Sequence, residues 1–444
     1  MRVLLLTQWY PPEPQKVVAD IAVQLREMGH EVTVLTGYPN FPSGKLYDGY
    51  RMRLVMREEI EGVPVIRVPL FPDHSRSILR RALNLLSFAA MATFIGPFVV
   101  PRVDVLYVIQ PVTSLVPAVV ISRCGWVPVV FEVQDLWPET LKAAGFVRNR
   151  ALLSIVGAAM KLVYRFVDGI RVISPGFCEN LRSRGIPEAK LWMIPNWVDV
   201  EWYQPLPPDP ELAESLGLSG KFNVMFAGTM GHAQDLGTVL DAADRLRDID
   251  KVQFVMVGGG TLRDALKNEA QQRGLSNVRF LGTYPQNEIA RIQSIADVLL
   301  VHLRDEALFR ITIPHKTLGY MACGKPVLIG VAGDAADVVM GAGAGLSCRP
   351  SDPDSMAEAV RRFYRMPESE RHAMGFRARN AAVQQFSRQE LVGCIGEMLQ
   401  VIVARRGIHR TQSPRRGNAT ASDRCVLPDE TREAEPVQTC HRGN

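Results

Sequence analysis

The sequence has few cysteines and little excess of charge. Its 444 residues include seven cysteines, which are scattered and never spaced as CxxC. This usage excludes a disulfide scaffold and a zinc-ribbon site, and it favours a reducing compartment. The net charge is +5, and residues 405–444 carry +3 of it. The rest of the chain is therefore nearly neutral, and we expect no nucleic-acid partner.

Two further signals are missing near the N-terminus. The first predicted strand, Val3–Thr7, is followed by Gln8–Pro14, which contains no glycine. A dinucleotide site needs GxGxxG there so that the backbone can approach a pyrophosphate, so hydride transfer is excluded. The apolar run before Pro11 is also too short for a signal peptide, and we expect a cytoplasmic protein.

Short apolar runs alternate with helical stretches along most of the chain, which predicts parallel sheets covered on both faces. The pattern restarts near residue 222, after a proline-rich linker. We therefore predict an α/β fold of two Rossmann-like, doubly wound domains. The predicted parts are an N-terminal domain 1–200, a C-terminal domain 201–385, a closing helix 386–405 and a disordered tail 406–444. The predicted strands are Val3–Thr7, Glu31–Thr36, Val63–Val68, Val103–Ile109, Val127–Glu132, Gly169–Ile173, Asn223–Ala227, Gln253–Val257, Asn277–Leu281, Val298–Val301 and Pro326–Ile329.

One segment, 82–101, is apolar and free of charge for twenty residues. Arg76, Arg80 and Arg81 precede it and Arg102 follows it. It is long enough to cross a bilayer, but a span would place neighbouring strands on opposite sides of the membrane. The favoured interpretations are a buried helix of the first domain, or a helix in the membrane interface with its arginines on lipid phosphates, and a true span is the third.

The segment Thr312–Val327 predicts a site for a diphosphate. Pro314 suits the first turn of a helix, because its missing N–H costs nothing there. The helix start then offers free N–H groups at His315 and Lys316 beside a cation, which is a favourable environment for phosphate. An ordinary loop, helix and strand with a surface lysine is the alternative.

The chain resembles the retaining glycosyltransferases of family 4, over about residues 1–400. The resemblance implies the GT-B fold, in which two Rossmann-like domains face each other across a cleft. The start of the chain, 29–50, is most similar to the branch that includes N-acetyl-L-fucosamine transferases and enzymes of capsule, O-antigen and colanic acid assembly. The motifs that carry the resemblance are DLWPE at 135–139, ISPGF at 173–177, IPNWVD at 194–199, FLGTYP at 280–285, MACGKPV at 321–327 and GDAADVV at 333–339.

This resemblance implies a nucleotide-sugar donor bound mainly on the second domain. Its phosphates would meet the helix start around Ile313–Thr317, and the base and ribose would lie near 282–284. The loop at 228–231 would line the cleft, although a tight turn alone would also explain its glycines. The implied donor-binding residues are Gln134, Gly228, Thr229, Gly231, His232, Thr283, Tyr284, His315, Lys316, Thr317 and Gly319.

The sequence departs from the family at three donor contacts. Most members have two glutamates where this chain has Ile311 and Gly319, so donor recognition must use other groups, with His315 and Lys316 as candidates. Many members have a histidine where this chain has Gln134. That histidine contacts the far side of the donor sugar, so the glutamine suggests a different sugar, such as a 6-deoxy one.

Asp135 and Glu139 are the candidate catalytic acids of the first domain. Asp135 follows a strand at its carboxyl end, where open α/β sheets bind ligands, and either acid could orient or deprotonate an acceptor hydroxyl. Helix capping is an equal alternative for Asp135. The family is thought to transfer the sugar on one face with help from the leaving diphosphate, so we name no protein nucleophile.

We expect no metal and no other cofactor. Two DxD sequences, Asp248–Asp250 and Asp352–Asp354, stand where turns are predicted, and we interpret both as turn chemistry. The eight histidines show no pairing at metal-ligand spacing.

The resulting hypothesis is a glycosyltransferase that acts on a polyprenyl-diphosphate-linked glycan at the inner face of the plasma membrane, with peripheral membrane contact. Two alternatives remain. A nucleotide-sugar epimerase of the same fold would convert donor without acceptor. A non-catalytic scaffold of a glycan-assembly complex would bind nucleotide and turn over nothing.

Overall fold

A computed structural model describes residues 1–75, 77–143 and 149–411. Arg76 and most of the predicted tail, 412–444, lie outside the described residues. The strands form two separate sheets, one of eight strands and one of six. The prediction of two doubly wound units is confirmed.

The first sheet has the order β3-β4-β2-β1-β5-β6-β7-β8 and is parallel except for the β3–β4 pair. Its central strands β1, β5 and β6 are apolar at nearly every position because helices cover both faces. The elements of this domain are β1 (Arg2–Leu6), α1 (Lys16–Glu27), β2 (Glu31–Gly37), β3 (Met56–Ile60), β4 (Val63–Val68), α2 (Ile78–Val99), β5 (Val105–Val108), α3 (Leu115–Gly125), β6 (Val129–Val133), α4 (Glu139–Ala143), α5 (Arg150–Phe166), β7 (Gly169–Val172), α6 (Pro175–Ser183) and β8 (Leu191–Met193).

The second sheet is fully parallel, in the order β11-β10-β9-β12-β13-β14. The reversal of strand order at β9 puts the loops after β9 and β12 beside a crevice, where ligands of such sheets bind. The elements are α7 (Pro210–Ser215), β9 (Phe222–Ala227), α8 (Gly237–Asp244), β10 (Val252–Val257), α9 (Arg263–Gln272), β11 (Val278–Gly282), α10 (Ile289–Ser294), β12 (Val298–His302), α11 (Ala307–Arg310), α12 (His315–Ala322), β13 (Val327–Gly330), α13 (Asp334–Gly341), β14 (Gly345–Ser347), α14 (Pro353–Arg365), α15 (Glu368–Gln385) and α16 (Arg388–Thr411).

The last helix returns to the first domain. Ile395, Met398 and Leu399 of α16 are fully buried in the cluster that contains Val3 and Leu5 of β1. Helices α1 and α16 therefore cover one face of the first sheet, while α2, α3, α5 and α6 cover the other. The helix ends at Thr411, so residues 406–411, predicted as part of a disordered tail, are helical.

The apolar segment forms α2, which starts four residues earlier than predicted. Phe88 and Ala92 of this helix are fully buried in the core of the first domain. Gly96 lies so close to Ile121 of α3 that an added Cβ would be 2.8 Å from its Cδ1 atom. Helix α2 is thus a packed helix of the first domain on one side, and its other side is exposed.

Candidate active site

The candidate site lies in the cleft between the two domains, where loops from both sheets meet. The Ser174 hydroxyl after β7 donates a hydrogen bond to the Ile311 carbonyl at 2.6 Å. The Gly176 backbone N–H donates to Asp334 Oδ2 at 2.8 Å, and burial raises the pKa of Asp334. These contacts bring the start of α6 against the loops of the second domain and close one end of the cleft.

The start of α12 faces this cleft, as the sequence predicted. Pro314 is in extended conformation and the helix begins at His315. His315 reaches solvent in the cleft but has protein on most sides. This desolvation lowers its pKa, and the charge of Arg171 in the first domain lowers it further. His315 therefore offers a neutral ring at neutral pH, close to groups of both domains.

Lys316 is the unusual charge of the site. Its ammonium nitrogen is buried and has no hydrogen-bond partner among the described residues. It lies 4.0 Å from the centre of the Phe226 ring, and desolvation lowers its pKa to about 8. A buried cation without an anionic partner is costly, so this position is suited to an anionic ligand.

The loop after β9 leaves room for that lysine. Gly228 has φ +150°, and a Cβ added there would lie 2.9 Å from Lys316 Nζ. This close approach is the physical requirement for glycine at 228, beyond the turn itself.

Three glycines that were not predicted from the sequence hold this loop. A Cβ at Gly258 would be 2.1 Å from the Gly228 carbonyl oxygen, and one at Gly260 would be 2.4 Å from that of Met230. The Met230 N–H also donates to the Gly259 carbonyl at 2.7 Å. The loops after β9 and β10 thus pack backbone against backbone, and the run GGG after a predicted strand could have indicated it.

The other predicted donor residues of the second domain differ in exposure. Thr229, His232 and Thr283 are exposed, whereas Tyr284 is half-buried against the core. The Gly231 N–H is already bound by Gln234 Oε1 at 3.0 Å.

Two predicted positions in α12 are closed to solvent. Thr317 is fully buried, and its hydroxyl has no partner among the described residues. Gly319 is buried, and a Cβ there would meet the ring of Tyr203 at 3.5 Å. Because the linker residue Tyr203 covers this position, the prediction that Gly319 contacts the donor is corrected.

A buried ion pair lies beneath the first domain's side of the cleft. Arg171 donates to Glu132 Oε2 at 2.6 Å, and both side chains are fully buried. The Tyr107 hydroxyl donates to the same oxygen. The Gln134 amide nitrogen donates to Glu132 Oε1 at 2.5 Å and to Asn196 Oδ1 at 3.0 Å. The predicted donor contact by Gln134 therefore needs correction, because both of its amide hydrogens are used within the first domain.

The two candidate acids have different environments. Asp135 is exposed on one side but has protein on its other sides. This desolvation raises its pKa, although a hydrogen bond from Gln110 acts in the opposite direction. Glu139 begins α4 and pairs with Arg184 at 2.5 Å. Since Arg184 also donates to the Trp137 carbonyl at 2.7 Å, this pair ties α4 to the segment before it. Asp135 remains the candidate for acceptor chemistry, and the role predicted for Glu139 is corrected to a structural one.

A further polar and aromatic group lies at the same edge of the first sheet and was not predicted. Trp9 lies 6.0 Å from Phe41 and 6.1 Å from His74, between ring centres. The Trp9 Nε1 and His74 Nε2 atoms are buried without a hydrogen-bond partner among the described residues. Next to them, the Glu13 carboxylate accepts from the backbone N–H groups of Tyr10, Asn40 and Phe41.

The DxD sequences have the roles expected of turns and surface pairs. Asp352 caps α14 by accepting from Ser355 N at 2.9 Å, and Asp248 pairs with Arg361 at 2.7 Å. Across residues 1–75, 77–143 and 149–411, no group of three or more His, Cys, Asp or Glu side chains is arranged to hold a metal ion.

Comparison with known proteins agrees with this arrangement. Residues 14–197 match the family described as "Glycosyl transferase 4-like domain", and residues 209–381 match "Glycosyl transferases group 1". The chain is 26% identical over 343 residues to WcaI of Escherichia coli (strain K12), which is named as a colanic acid biosynthesis glycosyl transferase. That match covers 74% of this chain and 83% of WcaI.

Two other similar proteins bear on the site. The D-rhamnosyltransferase WbpZ of Pseudomonas aeruginosa is 29% identical over 225 residues, which is 50% of this chain and 56% of WbpZ. The crystal structure of Anabaena HepE in complex with UDP superimposes with a TM-score of 0.69 at 19% identity, over 90% of this chain and all of HepE. With both halves matched and the fold shared, the chain belongs to the family 4 glycosyltransferases of the GT-B fold.

Proposed function

We propose that the protein transfers a sugar from a nucleotide-sugar donor, with retention, to a lipid-linked glycan such as a polyprenyl-diphosphate saccharide. The observation that carries this proposal is the buried ammonium of Lys316 at the start of α12, which has no hydrogen-bond partner in the part of the chain that the structure describes. A donor diphosphate would supply the missing anion and would accept hydrogen bonds from the free N–H groups of the helix start.

The donor would extend from this point along the loops of the second domain. Gly228 would allow the diphosphate to approach the backbone, and the nucleoside would bind next to Thr283 and Tyr284. Thr283 Cγ2 lies 3.1 Å from the position of a Cβ at Gly259, so the loops after β10 and β11 are adjacent. The structural similarity to a protein crystallised with UDP supports this direction.

Asp135 is the group that we assign to the acceptor. It follows β6 at the carboxyl edge of the first sheet, where ligands of such sheets bind, and there it would orient the attacking hydroxyl. On retention, the leaving diphosphate would take the proton on the same face of the sugar, and Lys316 would stabilise the negative charge that develops there. The aromatic group of Trp9, Phe41 and His74 offers flat surfaces for acceptor sugars.

A 6-deoxy sugar suits the Gln134 position. Both amide hydrogens of Gln134 are bound to Glu132 and Asn196, so this side chain has no hydrogen left to donate to a 6-hydroxyl group. A 6-hydroxyl group would find no hydrogen-bond donor in this side chain, whereas a 6-deoxy sugar needs none. The similarity to a D-rhamnosyltransferase supports this choice, and an N-acetylamino sugar is the other class we propose. Equal turnover of 6-deoxy and 6-hydroxy donors would contradict the 6-deoxy assignment.

The test is a donor-panel assay on the full chain, with undecaprenyl-diphosphate saccharides in detergent and no added metal. We expect nucleotide release that depends on the acceptor. Lys316→Met should lower kcat/KM by about 10²–10³-fold, because one preorganised positive charge is lost. Lys267→Met, which changes an exposed lysine on α9, is the matched control and should leave turnover unchanged.

The same assay separates the alternatives. The absence of both family glutamates favours a non-catalytic scaffold, which would bind nucleotide and release nothing from any donor. An epimerase would convert the donor when no acceptor is present.

Wild-type donor affinity should also fall as the pH rises above about 8, since Lys316 then loses the charge that attracts the diphosphate.

A further inference from the structure

We infer that the outer surfaces of α2, α3 and α5 together form a face that binds an anionic phospholipid membrane. We call this surface the membrane face. The inference goes beyond the single segment 82–101, because α5 adds a second stripe of exposed apolar side chains. Its link to catalysis rests on the proposed function, whereas membrane binding itself can be measured without any substrate.

Helix α2 carries an unbroken apolar stripe on its exposed side. Leu79, Leu83, Leu86, Phe94 and Phe98 are 49–87% exposed, and they recur at helical spacing. An ordinary surface helix carries polar residues on that side. The opposite side holds the buried Phe88 and Ala92, so the stripe is not the part of α2 that packs on the sheet.

Helix α5 has a second stripe of the same kind. Leu152, Ile155, Leu162 and Phe166 are 45–65% exposed and follow the same three- and four-residue spacing. Met160 and Tyr164 of this helix are buried against the sheet. The exposed residues therefore point away from the domain.

The two stripes belong to one surface. Helices α2, α3 and α5 all pack on the same face of the first sheet, through one hydrophobic cluster. Helix α3 lies next to α2, and its Arg123 guanidinium lies 6.0 Å from the Phe166 ring of α5. The exposed Val116 of α3 adds to the apolar area between the stripes.

The charges on the membrane face select its partner. The three helices contain no Asp or Glu and six basic residues, Arg80, Arg81, Arg123, Arg150, Lys161 and Arg165. All six are exposed. Cations beside exposed aliphatic and aromatic side chains match the phosphates and acyl chains of an anionic lipid surface. A second copy of the chain would bring two positively charged surfaces together, which disfavours a dimer through this face.

The geometry favours binding flat on the membrane over crossing it. Within the described residues, one helix, Leu79–Val99, is long and apolar enough to span a bilayer. Spanning would remove Phe88, Ala92 and Gly96 from their contacts with the sheet and α3. Binding along the stripe keeps those contacts.

The membrane face also leads to the acceptor side of the cleft. Asn84 of α2 accepts from Gln8 at 2.6 Å and donates to Asn40 at 3.2 Å, and both partners follow strands at the carboxyl edge of the sheet. The charge of Arg81 lowers the pKa of His74, after desolvation as the larger cause. A saccharide anchored in the same membrane would therefore reach Trp9 and His74 from this end of α2.

The experiment is co-sedimentation of the full chain with vesicles of phosphatidylcholine containing 30% phosphatidylglycerol, against vesicles of phosphatidylcholine alone. We expect strong binding to the first kind only, and weaker binding as salt is raised. The double variant Phe94→Glu/Ile155→Glu should lower the partition coefficient at least about tenfold, because buried apolar contact is replaced by charge. The control is Phe376→Glu on α15 of the second domain, where the phenylalanine is 68% exposed.

Several results would overturn the inference. The first is equal binding to both kinds of vesicle, and the second is unchanged binding of the double variant. The third is a loss of binding in Phe376→Glu that is as large as the loss in the double variant. A change of oligomeric state in the double variant, seen by sedimentation velocity with vesicle binding intact, would identify a protein partner instead. Thermal unfolding checks that the variants fold. Transfer to a short-chain, water-soluble acceptor tests the proposed function separately: its absence contradicts that function and leaves the membrane face standing.

Discussion

The loops at the carboxyl edges of the two sheets are held by different kinds of contact. In the first domain, side chains bind one another or the backbone, as Arg171 does with Glu132 and as Glu13 does with three N–H groups. In the second domain, glycines let backbone lie on backbone, as at Gly258 and Gly260. Loops of the same βα architecture are thus held by side-chain contacts in the first domain and by close backbone contacts in the second.

This difference matches what each side would bind. Closely packed backbone around Lys316 suits a diphosphate, which is the same group in every nucleoside-diphosphate sugar. A network of side chains can change residue by residue, which suits acceptors that differ between enzymes. The three predictions below test whether the first domain depends on its buried side chains and the second on its glycines.

The largest effect is expected in the first domain, for Arg171→Met. It leaves the Glu132 carboxylate buried without its cation, so the free energy of unfolding should fall by about 3–5 kcal/mol. Arg182→Met removes a pair with Glu188 that is exposed on both sides, and it should cost less than about 1 kcal/mol because water screens that pair. Urea unfolding of both variants measures the difference, and equal losses would refute the dependence on the buried pair.

A second effect concerns pH. Burial raises the pKa of Glu13 to about 7, against the opposing effect of its three N–H donors. The folded protein therefore keeps this proton between about pH 4.5 and 7, where the unfolded chain has lost it. The stabilisation from this bound proton is present at pH 4.5 and is lost as the pH rises to 7. The free energy of unfolding should fall by up to about 3 kcal/mol over this range. The free energy of unfolding of the wild type minus that of Glu13→Gln should show this decline across the range, because the other titrating groups are common to both proteins. The same slope in the variant would assign the decline to another group.

The smallest of the three effects is expected in the second domain, for Gly258→Ala. Its φ is +125°, and the new Cβ would meet a backbone oxygen that no side-chain rotation can move. We expect a loss of about 2–3 kcal/mol and weaker donor binding, since Gly228 must shift. Gly237→Ala, with no atom within 4 Å of the new Cβ, should be neutral. Calorimetry with nucleotide titration measures both, and unchanged donor affinity in Gly258→Ala would contradict the shift of Gly228.

Much of the fold could be predicted from the sequence, because parallel strands buried on both faces are apolar runs. Val63–Val68 was predicted with the observed limits. Met56–Ile60 was missed because it is a polar strand at the sheet edge, paired antiparallel, in which half-buried and exposed residues alternate and none is buried.

The candidate site was predictable where one segment supplies the chemistry. His315 and Lys316 lie together because a helix begins there. Gln134 and Glu139 could not be interpreted correctly, because their partners, Asn196 and Arg184, are 62 and 45 residues away in the sequence and meet them only in the fold. Gly319 was misassigned for the same reason, since the linker residue Tyr203 covers it.

The return of α16 to the first domain has a consequence for synthesis. While a ribosome makes the chain, the sheet face around Val3 and Leu5 stays without the cover of Ile395, Met398 and Leu399 until nearly 400 residues have been joined. The N-terminal domain can therefore complete its core only after the second domain has been made. Cutting the gene at the linker would leave a first domain with an open apolar face, so the two halves are a single folding unit despite their separate sheets.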